Sequence, residues 1–331
     1  DFFKNNRIFS KTRPEYTVMR FKSARDRIKS YIEDPSIGIE KVEKILDAAH
    51  TIRFQTERNG KDRVSHKKLV ESEIDRLNRM KSSRSKIEKW AEEDLINRIP
   101  VKRDNDLLGF LIEHGDHFAD WEKDILDIVR EESQYFIPQV QTKVMNEGWA
   151  SFWHYRILND LKLDSKLHLP FIKTHNQVIR PHIGAINPYH LGFHIFQKIE
   201  REMGLDECFF AREIHDDVQA IRRFVDREVC EDLNLFSYSK KKQGVIVDNV
   251  SDEEGWESVR QSLILNTGTS GIPHITVEEI TKAGTLILEH DHDGRDLDLD
   301  YAERVLQHIK YLWPEGVKLF TIIEDELWEM D

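Results

Sequence analysis

The sequence predicts a mainly α-helical protein that ends in an α+β, ferredoxin-like domain. Three observations point there. Apolar residues recur at steps of three and four through most of the first 236 positions. After Val245 that period gives way to short runs rich in Ile, Val, Thr and Leu. The elements beyond Val245 follow in the order βαββαβ, the split-βαβ arrangement. The expected division is a helical domain over residues 1–236, holding a charged connector at 56–104, and an acidic ferredoxin-like domain over 245–331.

The first helical stretch runs from Met19 to Phe54. Phe21, Ala24, Ile28 and Ile32 form one stripe and Val42, Ile45, Leu46 and Ala49 a second, with Asp34-Pro35-Ser36-Ile37-Gly38 as the turn between them. Past the connector, Asp106–Phe118 and Trp121–Phe136 read as helices, with a stop at Pro138. Gln139–Leu161 is a further helix, and Lys162–Pro188, with Pro170, Pro181, Gly184 and Pro188, reads as irregular. Helices over Pro188–Met203 and Phe209–Leu233 close the region. In the latter, Ile214, Val218, Ile221, Val225 and Val229 form one apolar stripe.

Ser237–Gly244 reads as a polar linker and Val245-Ile246-Val247 as a strand. Ser251-x-x-Glu254 is a capping-box signature before a helix carrying Trp256, Val259 and Leu263. Ile272–Ile280 and Thr285–His290 form a hairpin around Gly284. Asp298–Leu312 is helical and Val317–Glu324 is the last strand.

Charge narrows the function classes. The 331 residues carry 49 Lys and Arg against 61 Asp and Glu, net −12. From Val245 to Asp331 there are 20 acidic and 6 basic residues, net −14, which leaves about +2 for everything before. An acidic C-terminal domain repels phosphates and argues against a nucleic-acid partner. Residues 57–103 run the other way, with 14 basic and 9 acidic residues of mixed order, as in a solvated connector. No apolar run approaches the ~18 residues of a membrane span. Cys208 and Cys230 fit reduced thiols in a cytoplasmic protein better than a disulfide framework. Asp1-Phe2-Phe3-Lys4-Asn5-Asn6 has neither Met nor the core of a signal peptide, so the chain reads as cut from something longer.

Three clusters carry chemistry. In Val144–Tyr155, Glu147 lies among Trp, Phe and Met, where a carboxylate must find a partner or a metal. His154 follows two helical turns later on the same face, with Tyr155 beside it. The alternative is a buried helix whose Glu pairs with an Arg or a backbone amide. In Asn187–His194, His190 and His194 stand four apart, a spacing that can hold a metal, next to Tyr189. Asn187 and Pro188 equally suit a plain capped helix start. Glu289–Asp300 places acids and a glycine in faint imitation of a calcium loop, or forms a turn before an Asp-rich helix start. The candidate pocket is Glu147, His154, Tyr155, Tyr189, His190 and His194, with no tightly bound metal or cofactor expected from these residues alone.

A helical Asn-Glu-Gly-x-Ala segment resembles the third-ligand helix of gluzincin metallopeptidases, though no His-Glu-x-x-His occurs in this chain. Four longer phrases carry a more specific likeness: Asn-Glu-Gly-Trp-Ala-Ser-Phe-Trp-His-Tyr, Ile-Asn-Pro-Tyr-x-Leu-Gly-Phe, Val-Arg-Glu-Glu-Ser-Gln-Tyr-Phe-Ile-Pro-Gln and His-Asp-Gly-Arg-Asp-Leu-Asp-Leu-Asp-Tyr-Ala-Glu. With them the chain resembles the stage V sporulation protein R (SpoVR) family over most of its length. The resemblance implies a role in forming the spore cortex, the peptidoglycan layer of endospores, with no settled catalytic activity. It also implies an association, in bacteria that do not sporulate, with a PrkA-type serine protein kinase. It places a His-x-x-x-His helix just before Asp-Phe-Phe-Lys-Asn-Asn. Glu147 would join that pair in a zinc site of the intact protein, as in a degenerate zincin-like metallohydrolase acting on peptide or peptidoglycan. The competing expectation is a non-enzymatic regulator or scaffold.

Overall fold

The computed structural model describes residues 14–56, 58, 104–182, 185–241, 244–250, 252–253 and 255–331. Nearly all of the expected connector, and Ser251 and Glu254 of the expected capping box, lie outside them. The fold is mainly helical, with a C-terminal four-stranded mixed sheet and a helix. Two compact units form, one from residues 136–272 and one from 14–135 with 273–331.

In the sheet-containing unit, α1 (Pro14–Glu33) and α2 (Ile39–Thr51) meet at the expected turn, where Asp34 accepts from the Ser36 N–H at 2.8 Å and Gly38 takes φ 80°. α3 (Leu107–His114) is capped by Asp106, which accepts from Gly109 N at 2.9 Å and pairs with Arg130 at 2.6 Å. α4 (Asp120–Gln141) begins in this unit. The chain returns as β3 (Ile275–Ile280), β4 (Leu286–His290), α12 (Leu299–Leu312), β5 (Val317–Ile323) and β6 (Glu326–Met330). The strand order is β3-β4-β5-β6, with β4 and β5 parallel and the outer pairs antiparallel. The parallel pair needs a crossover, which α12 supplies. Leu286, Leu288, Val317 and Leu319 pack with Leu306, Ile309, Phe110 and Ile45 in one core.

The helical unit holds α5 (Lys143–Asp160), α6 (Ser165–Val178), α7 (Pro188–Met203), α8 (Leu205–Ile214), α9 (Asp217–Phe224), α10 (Arg227–Asp232), β1 (Phe236–Lys241), β2 (Gly244–Val250) and α11 (Trp256–Leu265). Its core gathers Phe152, Phe196, Ile199, Cys208, Ile221, Phe224 and Cys230. Burial pushes both thiols up to about 11, so they stay protonated and inert.

Several expectations are corrected. The ferredoxin-like βαββαβ arrangement does not form. Val245–Val247 lies in β2, which pairs antiparallel with β1 in a separate two-stranded sheet, and α11 sends Leu263 and Ile264 into the helical unit's core. The supposed linker from Ser237 supplies β1, and a partner so close along the chain pairs without a long crossover. Pro138 does not stop its helix: α4 continues to Gln141, and the break comes at Thr142, whose hydroxyl donates to the Pro138 carbonyl at 2.8 Å. The region read as irregular contains α6, with Pro170 inside it, held by buried Phe171 and His175. The single stripe over Phe209–Leu233 is three helices. Asp216 interrupts it with a full capping box to Gln219, and Asp226 does so by accepting from Val229 N at 3.1 Å.

The start of α5 is fixed by a distant carboxylate. Asp217, fully buried, accepts from Val144 N at 2.8 Å and Met145 N at 2.9 Å. Burial pushes its carboxyl up to about 7, against the downward pull of those N–H groups. A folded pKa above the unfolded value of about 3.9 means that the folded state holds the extra proton. That contribution to stability is complete at low pH and fades as pH rises from about 4 through about 7. Asp217→Asn cannot titrate. Its unfolding free energy relative to the parent should therefore shift in the variant's favour across that window and level off above it, measured by urea denaturation. A difference independent of pH would contradict this.

Candidate functional site

The site grows from the contact of α5 with α7. A Cβ on Gly148 would lie 2.3 Å from the Gly192 backbone, and one on Gly192 would lie 2.2 Å from the Val144 carbonyl oxygen. No side chain fits there, so the two backbones touch. α5 then projects Glu147, Trp149, Trp153, His154 and Tyr155, and α7 projects Tyr189, His190, Phe193 and His194.

Glu147, half-buried, lies beside the Tyr189 hydroxyl, and its carboxylate raises the Tyr189 pKa. One turn on, Trp149 and Trp153 pack edge-to-face at 5.4 Å, and Phe209 lies 5.0 Å and 5.5 Å from them. Arg212 stacks over Trp149 at 5.3 Å. Arg156 pairs with Glu200 of α7.

The histidines fall into two linked groups. His154 is exposed and stands edge-on to Phe171 at 5.5 Å. Tyr155 stacks on His175 at 4.9 Å and meets Phe193 at 5.5 Å. His175 is 3 % exposed, its Nε2 has no hydrogen-bond partner among the described residues, and burial followed by His154 lowers its pKa. His190 and His194 lie 4.9 Å apart, ring edge to ring face. Neither nitrogen of His190 has a well-formed hydrogen bond. Burial lowers its pKa, against the nearby Ile179 carbonyl, and His182 adds to the lowering. Burial, then His190, pushes His194 down to about 4, although Asp232 and Gln197 pull the other way.

The structure thus joins Glu147 to Tyr189, Tyr155 to His175, and His190 to His194. It leaves His154 facing outward. His175 was missed in the sequence because Pro170 made its helix read as loop; the Phe171–His175 spacing of four after Asp164 was the available signal. Across all described residues no three His, Cys, Asp or Glu side chains gather as a metal would require, so the described side chains around Glu147 do not by themselves fit a zinc ion. The faint calcium loop is a turn. Asp293 pairs with Arg295, His292 meets Asp296 at 3.3 Å, and Asp298 caps α12 by accepting from Tyr301 N at 3.1 Å.

Neutral buried histidines carry an acid penalty. The His194 pKa of about 4 in the folded state lies below the unfolded value of about 6.5. The unfolded chain therefore takes up the proton first, and stability is lost as pH falls from about 6.5 toward about 4. His194→Gln should lose less stability than the parent between pH 7 and pH 5, read from urea midpoints. Equal losses would contradict the assignment.

No helix of the described residues is long and apolar enough to cross a membrane. No solved structure matches the chain. The chain is similar to the "Uncharacterized protein YcgB" of Escherichia coli (strain K12), at 28% identity over 370 aligned positions, covering 98% of this chain and 72% of that protein. A family model described as "SpoVR like protein" matches residues 1–272, and one described as "SpoVR-like C-terminal domain" matches residues 273–324. The junction of the two matches falls where the chain leaves the helical unit. With matches from the first residue to 324, the chain belongs to the SpoVR family.

Proposed function

We propose that this chain is a cytoplasmic sporulation protein, and that it serves formation of the spore cortex as a non-enzymatic regulator or scaffold. Family membership is what supports a sporulation-related role. The observation that carries the molecular reading is the state of Glu147. Its carboxylate lies beside the Tyr189 hydroxyl of α7, on a helix that also carries an aromatic stack, so it sits at the contact of α5 with α7 as a structural group. No observation favours the metallohydrolase alternative. A PrkA-type serine protein kinase is the partner this reading nominates, and the net charge of −14 beyond Val245 suits a protein partner better than a nucleic acid.

The test is complementation in an endospore-forming host that lacks its own member of the family. The parent protein, expressed in that host, should restore cortex thickness and heat-resistant spore counts. Glu147→Gln should restore them to within about twofold, because an amide oxygen can still face Tyr189. Loss of function in Glu147→Gln at normal protein level would mean that the carboxylate does chemistry. Failure of the parent to restore the cortex would remove the cellular role.

A further inference from the structure

We propose that the outer edge of β6 is a docking site for an extended basic segment of a partner protein, which adds to the sheet as a fifth strand. This stands apart from the cellular role above and rests on the sheet alone.

The two edges of the sheet differ. Along β3, Asp104 and Val277 exchange two backbone hydrogen bonds of 2.9 Å, and the Gln55 side chain accepts from Ile275 N at 3.0 Å. That edge is covered. β6 ends the strand order on the other side, with no strand beside it among the described residues. Glu324 and Asp325, both at positive φ, make a two-residue turn, so Ile323 and Glu326 form the hydrogen-bonded closing pair. The pairs alternate from there, and Leu327 and Glu329 turn their backbone N–H and C=O away from β5. Leu327 is 75 % exposed and Trp328 44 %, and successive residues point to opposite faces. An added strand would therefore find two outward backbone groups of each kind, and an apolar contact on each face.

The charges select the occupant. Glu324, Asp325, Glu326, Glu329 and Asp331 crowd the hairpin, and Lys318 is already held by Glu329. A second copy pairing through the same edge would set acid against acid, which destabilises cross-strand pairs. A segment alternating Lys or Arg with Val, Ile or Thr sets its apolar side chains on one face beside Leu327 and its bases on the other face beside Glu326. The ladder hydrogen bonds supply the rest, as in strand addition generally.

The full chain would be titrated against a fluorescein-labelled octapeptide of alternating lysine and valine. A control peptide of the same charge carries proline at two of the valine positions. The alternating peptide should bind at least roughly tenfold more tightly than the control, since proline removes ladder donors. Leu327→Pro, which deletes an outward N–H, and Glu326→Lys, which inverts a charge, should each weaken binding several-fold, with the circular dichroism of the chain retained. Glu326→Lys keeps the test valid if Leu327→Pro disturbs the hairpin. Equal affinity for both peptides would reduce the effect to general charge attraction and overturn the proposal. So would absence of binding, or a dimer in sedimentation that Glu326→Lys alters.

Discussion

The backbone contact of Gly148 with Gly192 is the constraint on which the helical unit depends. With under 2.4 Å available for a side-chain carbon on either side, α5 and α7 can approach this closely only at a pair of glycines. Every neighbouring pairing follows from that closeness. Phe152 reaches Phe196 at 5.9 Å, Tyr155 reaches Phe193 at 5.5 Å, and Arg156 reaches Glu200. Tyr189 comes within reach of Glu147 for the same reason. A methyl group at either glycine would act as a wedge, and the polar pairs would part before the apolar ones, because hydrogen bonds tolerate less displacement than packing.

A second constraint fixes α5 along its own axis. The first N–H groups of a helix have no internal partner, and two of those in α5 are taken by Asp217 at the start of α9. A carboxylate in a dry core is costly, and the upward push on its pKa expresses that cost. Around it the unit keeps its histidines uncharged: His175, His190 and His194 all have pKa values lowered by burial. The site is therefore a polar interior whose acid and bases are held near neutrality, rather than a cavity lined with opposed charges. Such an interior specifies one arrangement of helices more than it supplies reactive groups, and this agrees with the regulator or scaffold reading.

Much of this was legible in the sequence, for reasons that can be named. The stripes over α1, α2 and α7 and the Asn187–Pro188 start of α7 are local signals, and local chemistry decided them. The Asn-Glu-Gly-Trp-Ala run pointed to close helix packing because small residues flank an acid, and Gly148 is where that packing occurs. What was lost depended on tertiary context. α6 survives Pro170 because Phe171 and His175 are buried. The stripe from Ile214 to Val229 concealed two breaks, since Asp216 and Asp226 read as ordinary helix surface until their side chains are seen turned back onto the backbone. β1 was hidden by its lysines and serines, and β6 by its acids, because an edge strand need not alternate like a half-buried one. The string βαββαβ matches the elements from Val245 to Ile323, with β6 following it unread. Which strand pairs with which was decided by β1, just upstream of the boundary chosen.

The central claim is that α5 and α7 meet backbone to backbone at one point, and a double-mutant cycle on Gly148→Ala and Gly192→Ala tests it most directly. Each single variant should destabilise the helical unit by about 1–3 kcal/mol in urea denaturation, the usual cost of overpacking. Because either methyl already drives the helices apart, the second should add little, giving a coupling of about 1 kcal/mol or more. Single-variant costs that simply add, to within about 0.5 kcal/mol, would show that the two glycines do not share one contact and would contradict the account.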